Sequence, residues 1–462
     1  MAGTPLASAS DDEETGAVVD GGDGEILKAV VRVREGASPA EVLDIASAEA
    51  WLAFDAGVRN LDDRPWLLSR PPEEPERTAE EPGRPARTWL DRLRGTTRSR
   101  TAPPPVPTPP PPPPAIALCH PDGRIREAAL DAAGTAPELR PLLVVRCSDW
   151  APPVRERART LLAELPGSAL LPLAELILRL SRRDRGDFAR ALLEGALREG
   201  PAAEVLTLTA HRDRATSRCA YRIAVERGLL TPMRLADTAA TCGDVTLQDL
   251  CAEAAVAALS GPPATDTAGE SVRDGDHDAV LERLLTARAS RVRSAGVTAL
   301  RRTGRHSAAE PFLADRSAVV RACARYVLRQ GGVDPLPLYR TLCADPAAYP
   351  GAAAGLGECG ERATDTEALW ALAAHPLPAV RLHAITGLRA LEAVVRERLT
   401  PLLDDPSPAV VRAATRALLP EAAGIPEALL RERSAPERPR AVRVAAQRLL
   451  RAAERHHQPG RD

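Results

Sequence analysis

Seven times in this chain an aliphatic residue followed by arginine opens the same short phrase: Ile125-Arg126, Val154-Arg155, Val292-Arg293, Val320-Arg321, Val380-Arg381, Val411-Arg412 and Val442-Arg443. Three residues past each arginine stands a small residue (Ala129, Ala158, Gly296, Ala324, Ala384, Thr415, Ala446). Seven past it stands Leu162, Leu300, Leu328, Leu388, Leu419 or Leu450, with Ala133 the exception. The aliphatic, small and leucine positions are four apart, so in a helix they share one face. The small residue lets a neighbouring helix approach closely, and the arginine lies about 100° off that face at the helix start. One such helix cannot bury its stripe alone, so the phrase demands copies stacked on one another.

The arginines are spaced 29, 138, 28, 60, 31 and 31 residues apart, and the last two set a unit near 31. The interval of 60 is two units, with a degenerate copy running from Asp345 through Pro350 to Leu356. The interval of 138 is four units with about 14 to spare; degenerate copies fall near Phe188-Ala189, Ser217-Arg218 and Leu247-Gln248, and the Gly/Pro/Asp-rich stretch Gly261 to Gly275 absorbs the surplus. About eleven repeats result. Turn signals precede the phrase, such as Asp149-Trp150-Ala151-Pro152-Pro153, His375-Pro376-Leu377-Pro378 and Asp404-Asp405-Pro406-Ser407-Pro408, where Ser407 reads as an N-cap with Pro408 at the first helical position. A first helix lies ahead of each turn, as in Glu367–Ala374 and Val394–Leu403.

The resulting pattern, D-x-x-x-x-V-R-x-x-A-x-x-x-L, resembles the HEAT-repeat family and is similar to the short HEAT-like repeats found in phycobilisome lyases. Tetratricopeptide and ankyrin signatures are absent. The resemblance spans roughly residues 115–455 and implies an all-α fold, an α-α superhelix of about eleven helix pairs with an insertion at 260–276. At about 8–10 Å per packed layer such a stack is a rod on the order of 100 Å long with an extended concave surface. As a statement of function the resemblance is nearly empty.

The rest of the chain reads differently. Residues 1–24 are expected to be a disordered acidic tail: Asp11 to Glu25 holds seven acids and no base. Residues 25–69 read as a small ordered module, with Val30–Val33 a short strand or helical turn. Ser38-Pro39-Ala40-Glu41 is a capping box opening an apolar helix that ends near Gly57. Trp51, Phe54 and Trp66 are expected to pack together or to dock the module. Residues 70–114 read as a Pro-rich linker, with ten prolines between Pro103 and Pro114 favouring polyproline II and one short amphipathic helix around Trp89, Leu90 and Leu93. Residues 456–462, opening on His456-His457, are a charged tail.

Composition narrows the function. With 61 Lys+Arg against 63 Asp+Glu the net charge is -2, which disfavours a general nucleic-acid coat or a polybasic membrane binder. Aromatics at 3% disfavour base-stacking platforms. The N-terminus lacks the basic and apolar regions of a signal peptide, and no 18-residue apolar run occurs, so a cytoplasmic protein is expected. The eight cysteines form no C-x-x-C and read as reduced packing residues. Lys28 is the only lysine, so arginine-richness reflects codon bias before it reflects phosphate chemistry.

No catalytic motif is present; no cofactor, metal or enzymatic activity is expected. Asp149 with Arg155, Asp315 with Arg321 and Asp405 with Arg412 could line a groove, but their recurrence favours a structural ladder, with Asp capping the second helix and pairing with Arg across the turn or repeat interface. Asp274, Asp276, His277 and Asp278 could attract a hard cation, though acids also suit the start of the helix expected at Ala279–Ala289. Arg288, Arg291, Arg293, Arg301, Arg302 and Arg305 fall in an acid-free window of 18 residues, and a second basic run closes the chain. The reading is a non-catalytic protein-binding scaffold, with Arg288, Arg291, Arg301, Arg302 and Arg305 as partner-binding residues and the N-terminal module tethering a second contact. Alternatives are nucleic-acid or acidic-partner binding through the same arginines, and, by the resemblance alone, a lyase or isomerase acting on a bound pigment.

Overall fold

The computed structural model describes residues 21–60, 111–259 and 274–457. Among them every regular element is a helix and none is a strand. The chain divides into two compact units, Met1–Arg227 and Gly228–Asp462.

Unit 1 begins with α1 (Gly21–Arg34), α2 (Pro39–Val42) and α3 (Ala48–Asn60). Four helix pairs follow: α4 (Pro114–Cys119) with α5 (Gly123–Thr135), α6 (Arg140–Arg146) with α7 (Pro152–Ala163), α8 (Ala174–Leu180) with α9 (Asp187–Glu199), and α10 (Ala202–Thr209) with α11 (Arg214–Glu226). Unit 2 holds seven more. They are α12 (Pro232–Thr241) with α13 (Val245–Ala258), α14 (Asp274–Leu285) with α15 (Ser290–Arg302), and a 3-10 stretch His306–Ala314 with α16 (Ala318–Gln330). Next come α17 (Pro335–Leu342) with α18 (Ala352–Cys359), α19 (Arg362–Ala373) with α20 (Pro378–Ala390), α21 (Arg396–Leu399) with α22 (Pro408–Leu418), and α23 (Glu427–Arg433) with α24 (Arg440–His457). The eleven pairs match the repeat count read from the sequence.

Within each unit a closing helix packs on the closing helix of the next pair: α5 on α7, α7 on α9 and α9 on α11 in unit 1, and α13 on α15, α15 on α16, α18 on α20, α20 on α22 and α22 on α24 in unit 2. The repeated face makes the core. Val154, Ala158 and Leu162 are buried, as are Val292 and Leu300, Val320, Ala324 and Leu328, and Val380, Ala384 and Leu388. Several opening stretches are 3-10 because a proline sits inside them, Pro172 in Gly167–Leu173 and Pro311 in His306–Ala314. A proline ring blocks the i→i−4 bond of an α-helix.

Two local expectations are corrected and one choice is resolved. The helix expected to run from the capping box at Ser38 is two helices. Asp44 accepts the Ala46 N–H and Ser47 that of Ala50, so a new helix starts at Ala48 and Gly57 lies inside it. Of the two readings of Val30–Val33 the helical one holds, for it lies in the last part of α1. Ser407 occupies the N-cap of α22, but its hydroxyl makes no capping bond; Asp405 supplies the acceptor, taking the Ser407 N–H at 2.8 Å.

The N-terminal helices are packed against the repeats, not held apart as a tethered module: α3 lies on α4, α6 and α8. Trp51 and Phe54 meet edge to face with centroids 6.4 Å apart, both buried, and the Trp51 indole donates to Ile45 O at 3.0 Å. Trp66, the linker's polyproline run from Pro103 to residue 110, the helix expected near Trp89, the acidic tail to residue 20, the insertion between residues 260 and 273 and the tail from residue 458 lie outside the described residues.

Candidate functional site

The repeated arginine is a strut between helix pairs. It occupies the fourth position of its closing helix, which begins at Gly123, Pro152, Ser290, Ala318 or Pro378. From there one guanidinium edge folds back onto its own turn. Arg126 Nη1 donates to His120 O and Pro121 O, both at 2.7 Å. Arg293 Nη1 does the same to Ala287 O and Arg288 O, and Arg381 Nη1 to His375 O and Pro376 O. The other edge grips an aspartate in the turn of the next pair with two parallel bonds: Arg126 to Asp149 at 3.0 and 2.8 Å, Arg293 to Asp315 at 2.8 and 2.9 Å, and Arg381 to Asp405 at 2.8 and 2.8 Å. Fork-to-fork pairing of this kind is the strong form of the bond. Each aspartate also accepts the backbone N–H two residues on, at Ala151, Ser317 or Ser407.

The ladder expected from the sequence is therefore present, with partners one repeat apart. Asp149 pairs with Arg126 and not Arg155, Asp315 with Arg293 and not Arg321, and Asp405 with Arg381 and not Arg412. Arg155 and Arg321 take the carbonyls of Asp149 and Asp315 instead. Pro408 starts α22 one residue early relative to the phrase, so Val411 stands at the strut position and Arg412 is exposed beside it. Val410, Ala414 and Leu418 carry the buried stripe there. Two degenerate copies are likewise one residue off: Arg190 and Ser217 hold the fourth positions of α9 and α11, while Gln248 holds that of α13 as read and keeps half the contact, donating to Cys242 O at 2.6 Å.

Burial by itself would raise the Asp149 and Asp315 carboxyls, but bonds from Arg126 and Arg293 and from a backbone N–H bring both below the ordinary carboxylate range. In unit 1 the strut extends further. Arg146, fully buried, bridges Asp149 at 3.1 Å to Asp55 of α3, so Arg126, Asp149, Arg146 and Asp55 form one buried chain of alternating charge that fastens α3 to the repeats.

The arginines expected to bind a partner are separated by the helix. Arg293 is the buried strut. Arg291 and Arg302, eleven residues apart and hence on one side of α15, line a surface groove against Asp249 and Glu253 of α13, with Arg291 2.6 Å from Asp249. Arg301 points to the other flank, its guanidinium 5.8 Å from the centroid of Tyr326 on α16. Arg305 pairs with Asp278. Arg288 is exposed, and its carbonyl accepts from Arg293 and from Arg316.

What the sequence did not mark is apolar. Tyr326 is 45% exposed and Val319, seven residues earlier on the same face of α16, is 59% exposed. Together α13, α15 and α16 present acids, arginines, then an aromatic with an aliphatic neighbour. Tyr326 follows Arg321 by five residues, a position the repeat leaves outside its buried stripe, and that offset was the available signal. In unit 1 Trp150, 63% exposed, stands over Arg126 at 5.5 Å.

Among the described residues no group of three or more His, Cys, Asp or Glu is placed to hold a metal ion. Asp274, Asp276 and Asp278 fall inside the start of α14, which begins five residues ahead of the expected start, with Asp278 turned to Arg305. All eight cysteines are free thiols. Burial pushes Cys147 and Cys251 up to about 12, which keeps them protonated and poor nucleophiles. Among the described residues no single helix is long and apolar enough to cross a membrane.

No family model matches the chain, and no curated protein matches it. Among solved structures, YibA of E. coli aligns at 16% identity and a TM-score of 0.24, covering 56% of this chain and 96% of its own. Importin beta aligns at 13% and 0.25, covering 73% and 56%, and Kap95p, solved with RanGDP, at 11% and 0.28, covering 93% and 69%. The fold assignment rests on the helix pairs described above.

Proposed function

We propose that the chain is a protein-binding scaffold whose docking surface in unit 2 is the face of α13, α15 and α16, contacted through Arg288, Arg291, Arg301, Arg302 and Arg305. The observation that carries it is the solvent-exposed Tyr326 under Arg301, with exposed Val319 about two turns away on the same face of α16. Tyrosine and arginine are the residues enriched where interface energy concentrates, and a rim of mixed charge surrounds such centres. The ion pairs of Arg291 with Asp249 and Arg305 with Asp278 weigh against reading the same face as a polyanion site, because its positive charge is already matched.

The test is site-specific photo-crosslinking. A photoreactive residue at Tyr326 of the full chain should capture one protein reproducibly, and Arg301→Ala should reduce the yield at least tenfold with circular dichroism unchanged. Capture that is equal from a control position such as Arg362 on α19, or unaltered by Arg301→Ala, contradicts the assignment.

A further inference from the structure

The arginine bias of this chain explains why a basic residue is Arg; it does not explain where acids are missing. Elsewhere in unit 2 the exposed arginines are mixed: Arg291 meets Asp249 and Arg398 meets Glu367, while Arg234, Arg329, Arg362 and Arg389 stand singly on four different helices with no ion pair to a described residue. Around α23 the arginines are paired, with Arg431 on Glu427, Arg433 on Asp404 and Arg438 on Glu432. On the closing helices of the last two pairs unpaired arginines gather in stripes. Arg412 and Arg416 make up, with Pro408, the exposed stripe of α22. On α24, Arg440, Arg448, Arg451 and Arg455 are exposed and fall, by 100° per residue, within an arc of about 80°. None of these six forms an ion pair with a described residue. α22 contains no acid, and the single acid of α24, Glu454, lines a surface groove with Ile425 and Leu430 and forms no ion pair with a described residue. The two helices pack side by side, so the stripes adjoin.

We propose that this face docks a carboxylate-rich segment of a partner protein. Six unmatched guanidiniums select an anion, and each can take a carboxylate through two parallel bonds. Val444 decides between anions. It is 53% exposed and lies inside the same arc of α24, at the centre of the arginines. An aliphatic side chain from an acidic amphipathic segment covers it, whereas a phosphate backbone leaves it in water. α22 and α24 also carry no Phe, Tyr or Trp on which a base could stack. The surface is separate from the α13–α15–α16 face and stands or falls independently of it.

The test uses the full-length protein and three labelled probes at 150 mM salt: a 16-residue peptide alternating Glu/Asp with Val/Leu, a scrambled peptide with the acids changed to Gln and Asn, and a 20-nucleotide RNA or duplex DNA. The acidic peptide should bind, the amide peptide at least tenfold more weakly. Arg412→Glu with Arg448→Glu should abolish binding, Val444→Ser should weaken it about threefold, and Arg234→Glu with Arg362→Glu, on exposed positions of α12 and α19, should leave it unchanged. All the altered side chains are exposed, so a thermal melt should match the parent. A nucleic acid that binds more tightly than the peptide, insensitivity to the Arg412/Arg448 reversal, or equal binding of the amide peptide overturns the proposal.

Discussion

The step from α5 to α7 in unit 1 and the step from α16 to α18 in unit 2 use the same arginine and different carboxylates. Arg126 reaches Asp149, in a turn of five residues between α6 and α7. Arg321 has Asp345 at the equivalent register, but nine residues separate α17 from α18, and that aspartate is exposed and bonded to Ala348 N–H. Glu358, inside α18, takes its place and receives both Arg321 and Arg325. Arg325 also donates to the buried Tyr339 hydroxyl at 3.2 Å, where burial, resisted by Arg325, pushes the phenol up to about 12. The arginine is placed by its helix start, while the length of the next turn chooses its partner. α18 can come close enough because it is nearly all small: a Cβ on Gly357 would lie 2.1 Å from Gly387 O, and one on Gly355 2.0 Å from the Tyr339 ring.

The comparison breaks most visibly at Asp149. Asp149→Ala leaves Arg126 and Arg146, both fully buried, without their shared carboxylate and should cost about 3–5 kcal/mol in urea denaturation. Next, Glu358→Ala should cost about 2–4 kcal/mol while Asp345→Ala, at the residue the register points to, costs less than about 0.5. Equal effects would show that turn length does not choose the partner. Gly357→Ala forces α18 from α20 and should destabilise by about 1–3 kcal/mol, whereas Gly195→Ala in α9, where nothing lies within 4 Å of the new methyl, should stabilise by about 0.5–1. Paired melting curves check both. The smallest effect is in pH. Asp149 and Asp315 have folded pKa values below their unfolded ones, so their contribution is full above the ordinary carboxylate range and is lost as pH falls through the folded values. The stability difference between the parent and Asp315→Asn should be level from pH 7 to 5 and shrink below about 4.

The eleven pairs were legible because one buried stripe repeats at helical spacing, and the turns because Asp and Pro mark them. What stayed hidden depended on where chains meet. The phrase puts Asp149 six residues before Arg155, yet side chains reach across to the preceding pair, a relation a linear motif does not encode. Arg412 matched the motif while Pro408 moved the helix start by one residue. The acid-free window at 288–305 looked like an unmatched basic surface, but Asp249, Asp278 and Asp315 come to it from other helices. Unmatched charge gathers in adjoining stripes on α22 and α24, whose exposed arginines form no ion pair with a described residue. Asp55 and Arg146, far apart in sequence, gave no signal that α3 is fastened to the repeats.

The central claim is that the fourth-position arginine and the following pair's aspartate act as one unit. A double-mutant cycle on Arg381 and Asp405, with each changed to Ala and both together, measures that directly by denaturation of the full chain. A coupling of about 2–3 kcal/mol, the double variant costing little more than either single one, is the predicted result. Additive losses, with coupling under about 0.5 kcal/mol, would contradict it.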